Sequence, residues 1–128
     1  MLPIQPSLVT GLALLLFLVL CVNVARARGR YKVAPPSVAG DPGFERVFRV
    51  QQNTLEQIVV FLPSLWLFSA FVSPLWGAAI GFLWILARIF YAWGYYRDAA
   101  KRVPGFAVSM ACNVVLVLGS IGGMLRAF

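Results

Sequence analysis

Residues Thr54 to Tyr96 read TLEQIVVFLPSLWLFSAFVSPLWGAAIGFLWILARIFYAWGYY. Only two charges, Glu56 and Arg88, interrupt this apolar run, and Ser73-Pro74 lies near its middle. Proline has no N–H to give to a helix interior but fits the first helical turn. The stretch therefore divides into Thr54–Val72 and Pro74–Tyr96, two apolar segments joined by a tight turn. At 1.5 Å per residue each crosses a hydrocarbon core of about 30 Å. Neither alternates polar and apolar residues as a barrel strand does. The stretch reads as an antiparallel pair of transmembrane helices.

Two more segments of this kind flank the pair. Ser7 to Ala25 and Val103 to Leu125 carry no charge at all. The whole chain is 61% hydrophobic and 12% charged, with a mean hydropathy of +0.85. A soluble domain is about half apolar and a quarter charged, so lipid is the expected solvent, and disorder is excluded by the same numbers. The fold class that follows is an all-α integral membrane protein, a four-helix bundle forming one domain over 1–128. Its helices are expected at about 5–27, 44–72, 74–97 and 104–126, with loops at about 28–43 and 98–103. The first segment is expected to be a retained span rather than a cleaved signal peptide. Met1 to Ser7 has no positive charge, and Arg26, Arg28, Arg30 and Lys32 follow the apolar run at once.

The formal charge is +7. The basic residues stand beside apolar runs, which favours membrane topology and anionic head groups over nucleic acid. With four spans, the first and third links share one side, and that side collects Arg26, Arg28, Arg30, Lys32, Arg46, Arg49, Arg97, Lys101 and Arg102. The other side holds only Arg126. This asymmetry predicts cytoplasmic first and third links, with both termini across the membrane. A bacterial inner membrane and an organellar membrane both fit.

Histidine is absent, which removes His-based catalysis and His metal sites. Cys21 and Cys112 sit apart within apolar runs and read as small hydrophobes, so no metal is expected. Gly77/Gly81 and Gly119/Gly123 have the spacing that allows close helix contact, within the bundle or between subunits. Asn113 reads as polar glue between helices.

The chemistry lies in two polar stripes. Glu45, Arg49, Asn53 and Glu56 share one face of the second helix, flanked by Gln51 and Gln52. Trp84, Arg88, Tyr91 and Tyr95 share one face of the third, and Arg102 follows its end. The structural use of such residues is to solvate helix ends and to form one buried pair, Glu56 with Arg88, at comparable depth. Ionisable groups inside a membrane cost roughly 2.5–3.5 kcal/mol each, so they tend to mark a site. Guanidiniums match carboxylates in bidentate geometry. A lone carboxylate suits an ammonium, and amides suit peptide groups. The expected ligand is a small zwitterionic peptide-like molecule with extra carboxylates, entering between helices from the cytoplasmic side. An apolar co-substrate would come from the bilayer.

The same residues carry a family pattern. Phe44-Glu45-Arg46-Val47-Phe48-Arg49-Val50-Gln51-Gln52-Asn53-Thr54-Leu55-Glu56 resembles the second-helix signature of the membrane-associated proteins in eicosanoid and glutathione metabolism, the MAPEG family. Arg88, Tyr91, Gly94 and Tyr95 resemble its third-helix signature, Arg-x-x-Tyr-x-x-Gly-Tyr, and Pro35-Pro36 fits its first loop. The likeness is greatest to the branch of leukotriene C synthase and type-two microsomal glutathione transferases. It implies a homotrimer of four-helix subunits with glutathione bound between subunits. It further implies that Arg49, Asn53, Glu56, Tyr91 and Tyr95 hold glutathione as co-substrate, that Arg28 and Gln51 contribute, and that Arg102 activates the thiol. A tyrosine that often follows the motif glutamate is Gln57 here, which removes one contact.

The activity implied is a membrane-bound glutathione transferase acting on lipophilic electrophiles, with reduction of lipid hydroperoxides as a second reaction. Two other readings compete. A non-catalytic lipid-binding scaffold of the same fold would not be stabilised by glutathione. A small transporter or channel subunit would use Glu56 and Arg88 to line a pathway, and would show flux in liposomes.

Overall fold

The computed structural model describes residues 1–128. Four helices carry the chain: α1 (Ile4–Tyr31), α2 (Pro42–Phe71), α3 (Pro74–Arg97) and α4 (Val103–Arg126), with one 3-10 turn, Ala99–Arg102, before α4. All four are long and apolar enough to cross a membrane. Their boundaries follow local chemistry. Asp41 caps α2 by accepting from Gly43 N at 2.7 Å, and Pro42 takes the first helical position. Ser73 caps α3 by accepting from Trp76 N at 3.2 Å, with Pro74 next, so the tight turn forms as read.

The first link differs from expectation. Residues 28–31 belong to α1 rather than to a loop. Arginine is a good helix former, and the cations Arg28 and Arg30 suit the negative end of the helix dipole, which outweighs Gly29. The helix ends only at Lys32, in the left-handed region at φ 56°, ψ 47°, where its N–H meets Arg28 O. At about 1.5 Å per residue, α1 and α2 both overrun a hydrocarbon core of about 30 Å. Each therefore stands out into the head-group layer at the arginine-rich end.

The α2–α3 hairpin forms the centre. Both α1 and α4 pack on α2 and α3, and these two outer helices lie on opposite flanks of the hairpin. The main apolar core sits at mid-height: Phe61 and Trp84 stack at 3.9 Å and 6°, with Val9, Ala13, Leu65 and Leu116 around them. The paired glycines are used inside the bundle. A Cβ on Gly81 would meet Val9, Leu65 and Phe61, and one on Gly123 would meet Phe71 O at 2.7 Å. Only 32 of 128 residues are buried, and large apolar side chains such as Leu18, Phe90 and Leu118 stand exposed. That surface needs lipid tails or another copy of the chain as its solvent.

Candidate functional site

One cavity of about 380 Å³ opens at the arginine-rich end between α2, α3 and α4. From α2 it takes Arg49, Asn53 and Glu56, three positions of the predicted stripe, and Gln52. From α3 come Tyr91 and Tyr95, whose rings meet edge to face at 5.6 Å and 74°. From the 3-10 turn comes Arg102, and from α4 come Val103 and Phe106. Six of the eight predicted site residues thus share one cavity.

The turn after α3 delivers Arg102. Asp98 accepts from Ala100 N at 3.0 Å and starts the 3-10 turn. Gly94 lets it fold back, since a Cβ there would lie 2.7 Å from Lys101 O. Arg102 Nη1 donates to Ala99 O at 2.5 Å, and its guanidinium carbon lies 5.8 Å from the Tyr95 ring centre. The side chain remains exposed. Arg49 is exposed too and has no acceptor within the chain. Two guanidiniums and one carboxylate, Glu56, therefore face the same space with several amide and phenol groups.

Arg88 holds this cavity from below. It is fully buried and stacks over the Tyr91 ring at 4.0 Å. Its Nη2 donates to Asn53 Oδ1 and to Thr54 Oγ1, both at 2.8 Å, and its Nη1 donates to Ser109 Oγ at 3.1 Å. One planar fork thus ties α3 to α2 and α4. The Glu56–Arg88 ion pair that a purely structural use of these residues would make does not form. Asn53, one turn earlier, reaches the guanidinium first, and Glu56 is exposed on the cavity wall. Arg88 itself does not line this cavity. With its oxygen held by Arg88, the Asn53 side chain is left with its Nδ2 donors for other partners.

Arg28 and Gln51 stand elsewhere. Arg28 donates to Val33 O and Ser37 O, at 3.3 and 2.8 Å, and lies over Phe44. Gln51 donates to Cys21 Sγ at 3.4 Å, across the α1–α2 contact. Within one chain neither touches the cavity. Gln52, Val103 and Phe106 do, and the sequence reading did not place them in the site; spacing could have found two of them, since Gln52 is three residues after Arg49 and Phe106 is one turn beyond Arg102.

A second, largely apolar groove of about 430 Å³ runs from this cavity along α2 and α4. The two share Asn53, Glu56 and Phe106. Val60, Met110, Val114, Val117 and Leu118 continue the groove into the apolar belt. On its wall Gln57 is buried and accepts from Trp84 Nε1 at 3.1 Å and Asn113 Nδ2 at 3.3 Å. Gln57 therefore joins three helices, and Asn113 is the interhelical glue its position suggested. Both cysteines are free thiols, and no cluster of metal-ligating side chains is present.

Comparison with known proteins agrees with this arrangement. The MAPEG family profile matches residues 6–122. An uncharacterized protein of Synechocystis is 51% identical over 120 residues, 94% of this chain and 88% of its own. Human microsomal glutathione S-transferase 2 is 40% identical over 107 residues, 84% of this chain and 73% of its own. Guinea pig (Cavia porcellus) leukotriene C4 synthase is 36% identical over 115 residues, 89% and 77% respectively. Four spanning helices, two signature stripes on facing helices and a match over nearly the whole length agree: the chain is a multi-pass membrane protein of the MAPEG family.

Proposed function

We propose that the protein is a glutathione transferase that joins the glutathione thiol to lipophilic electrophiles, and that it works as a homotrimer. The observation that carries this reading is the shared wall of the two cavities. A polar chamber with two guanidiniums, one carboxylate and two phenols meets an apolar groove at Asn53, Glu56 and Phe106. Glutathione carries two carboxylates, one ammonium and two peptide bonds. Arg49 suits a carboxylate, Glu56 the ammonium, and Asn53 a peptide carbonyl. The groove suits a lipophile arriving from the bilayer. The names of the relatives, microsomal glutathione S-transferase 2 and leukotriene C4 synthase, point the same way.

The chemical task is to make a thiolate. A free thiol has a pKa of about 8.5 and is mostly protonated at neutral pH. Lowering it by about 2 units takes nearly 3 kcal/mol of preference for the anion. A guanidinium within hydrogen-bond reach in a partly dry site supplies that, and Arg102 is always charged. The thiolate then attacks an electrophilic carbon, a C–S bond forms, and the leaving group departs with its electron pair. With a lipid hydroperoxide, two glutathione molecules give the alcohol, water and glutathione disulfide.

In this reading the arginine-rich end faces the cytoplasm, where reduced glutathione is plentiful. Arg28 and Gln51 lie near the α1 side and reach glutathione only across a subunit boundary. The test is conjugation of a chloronitroaromatic by purified protein in detergent, together with its melting temperature in glutathione. Turnover with a raised melting temperature is the expected result. A lipid-binding scaffold gives neither, and absence of both retires the proposal.

A further inference from the structure

A third cavity, of about 420 Å³, lies at the same end of the bundle but on the far flank, between α1, α3 and the start of α2. It shares no residue with the two cavities above. Arg26 and Arg30, one turn apart on α1, line it together with Tyr31, and Asn23 and Tyr96 form its inner wall. No carboxylate belongs to it.

The arginines of this end divide into two groups, Arg97, 4.5 Å over the Trp93 ring, falling with the second. Arg28, Arg46 and Arg102 donate to backbone carbonyls of Ser37, Tyr96 and Ala99. Arg26 and Arg30 are exposed and donate to no acceptor in the chain, and the Arg30 guanidinium only lies 5.3 Å over the Tyr31 ring. Arg49 is in the same condition, and it faces the cavity proposed to take a carboxylate. The inner wall also offers a donor. Asn23 Nδ2 donates to Tyr96 Oη at 3.1 Å, which leaves the phenol proton free for another acceptor.

Toward the middle of the bundle the same face of α1 is apolar. Val19 and Val22 lie on the same α1 face as Asn23, Arg26 and Arg30, and they are 48% and 50% exposed. Cations at the end of a span with exposed apolar residues below them match a molecule that is anionic at one end and aliphatic at the other. We propose that this cavity binds an anionic phospholipid, its phosphate between Arg26 and Arg30 and an acyl chain along Val22 and Val19. A basic pocket between spanning helices at head-group depth is suited to that ligand. A free phosphate would use the cations but not the apolar face.

Native mass spectrometry of the full-length protein in mild detergent, with equal phosphatidylglycerol and phosphatidylcholine, tests this. The wild type is expected to retain phosphatidylglycerol in roughly tenfold preference, and Arg26→Gln/Arg30→Gln to lose that preference. Lys101→Gln/Arg126→Gln, which removes two exposed cations outside the cavity, should keep it. Circular dichroism melting shows whether the variants are folded. The proposal is overturned if the Arg26/Arg30 variant binds phosphatidylglycerol as the wild type does, or if the control variant loses as much. Displacement by excess inorganic phosphate would mark a free-anion site instead. Loss of subunits from the Arg26/Arg30 variant would make the flank an interface between copies. Neither arginine lines the glutathione cavity, so catalysis can fail while this result stands, and the reverse.

Discussion

Arg102 and Arg88 show two different uses of a guanidinium. Arg102 is exposed at the chamber mouth, where charge can act on a ligand thiol. If it holds the thiol near a pKa of about 6.5, most of the bound ligand is thiolate at neutral pH; without it, at about 8.5, only a few per cent is. Arg102→Ala should therefore cut turnover roughly 20-fold at pH 7, with the gap closing as pH rises past about 9. Glutathione affinity should change much less, and rate–pH profiles with calorimetry check both. Arg88 is fully buried and holds the Asn53 side chain. In Arg88→Met, Thr54 and Ser109 keep their bonds to Val50 O and Phe106 O, but Asn53 loses its anchor. Glutathione binding should weaken roughly tenfold while the wild-type pH profile is kept; a shifted profile would assign Arg88 a direct role. The stripes were legible from spacing alone. The purely structural alternative, a Glu56–Arg88 pair, fails because equal depth says nothing about which face of a helix a neighbour's fork reaches first.

Helices fit together here through missing side chains. At Gly105 an added Cβ would sit 2.6 Å from Tyr91 N and 2.7 Å from Ala87 O. Both are backbone atoms of α3 and cannot give way. Gly105→Val should push α4 off α3, cost about 1–3 kcal/mol, and disturb Phe106 and Arg102 as well. A melting temperature unchanged from wild type would contradict this. Gly122, with nothing within 4 Å of such a Cβ, should accept alanine with little effect. The four spans and the hairpin turn could be read directly, because apolar length and a Ser-Pro break are local signals. The end of α1 could not. Its last turn is polar, and nothing short of the Lys32 backbone conformation distinguishes charged helix from charged loop.

For the whole molecule, Arg28 and Gln51 make the strongest case for assembly. They sit on the α1–α2 side while the other six proposed site residues line the α2–α3–α4 cavity. If glutathione lies between subunits, each site takes residues from two chains. Co-expression of an Arg49→Ala chain with an Arg28→Ala/Gln51→Ala chain should then restore some activity, since mixed trimers contain intact sites. Activity no higher than the sum of the two variants expressed alone would place each site within a single chain.

Arg88 also governs the order in which the protein can be made. Two of its three hydrogen-bonding side chains belong to α2, which precedes it, but the third, Ser109, belongs to α4, which leaves the ribosome later. Until that helix enters the bilayer, the guanidinium is covered on one side only. A chain stopped after Arg97 would present a poorly shielded cation to hydrocarbon and be marked for degradation. In the finished bundle the same residue is sealed from lipid.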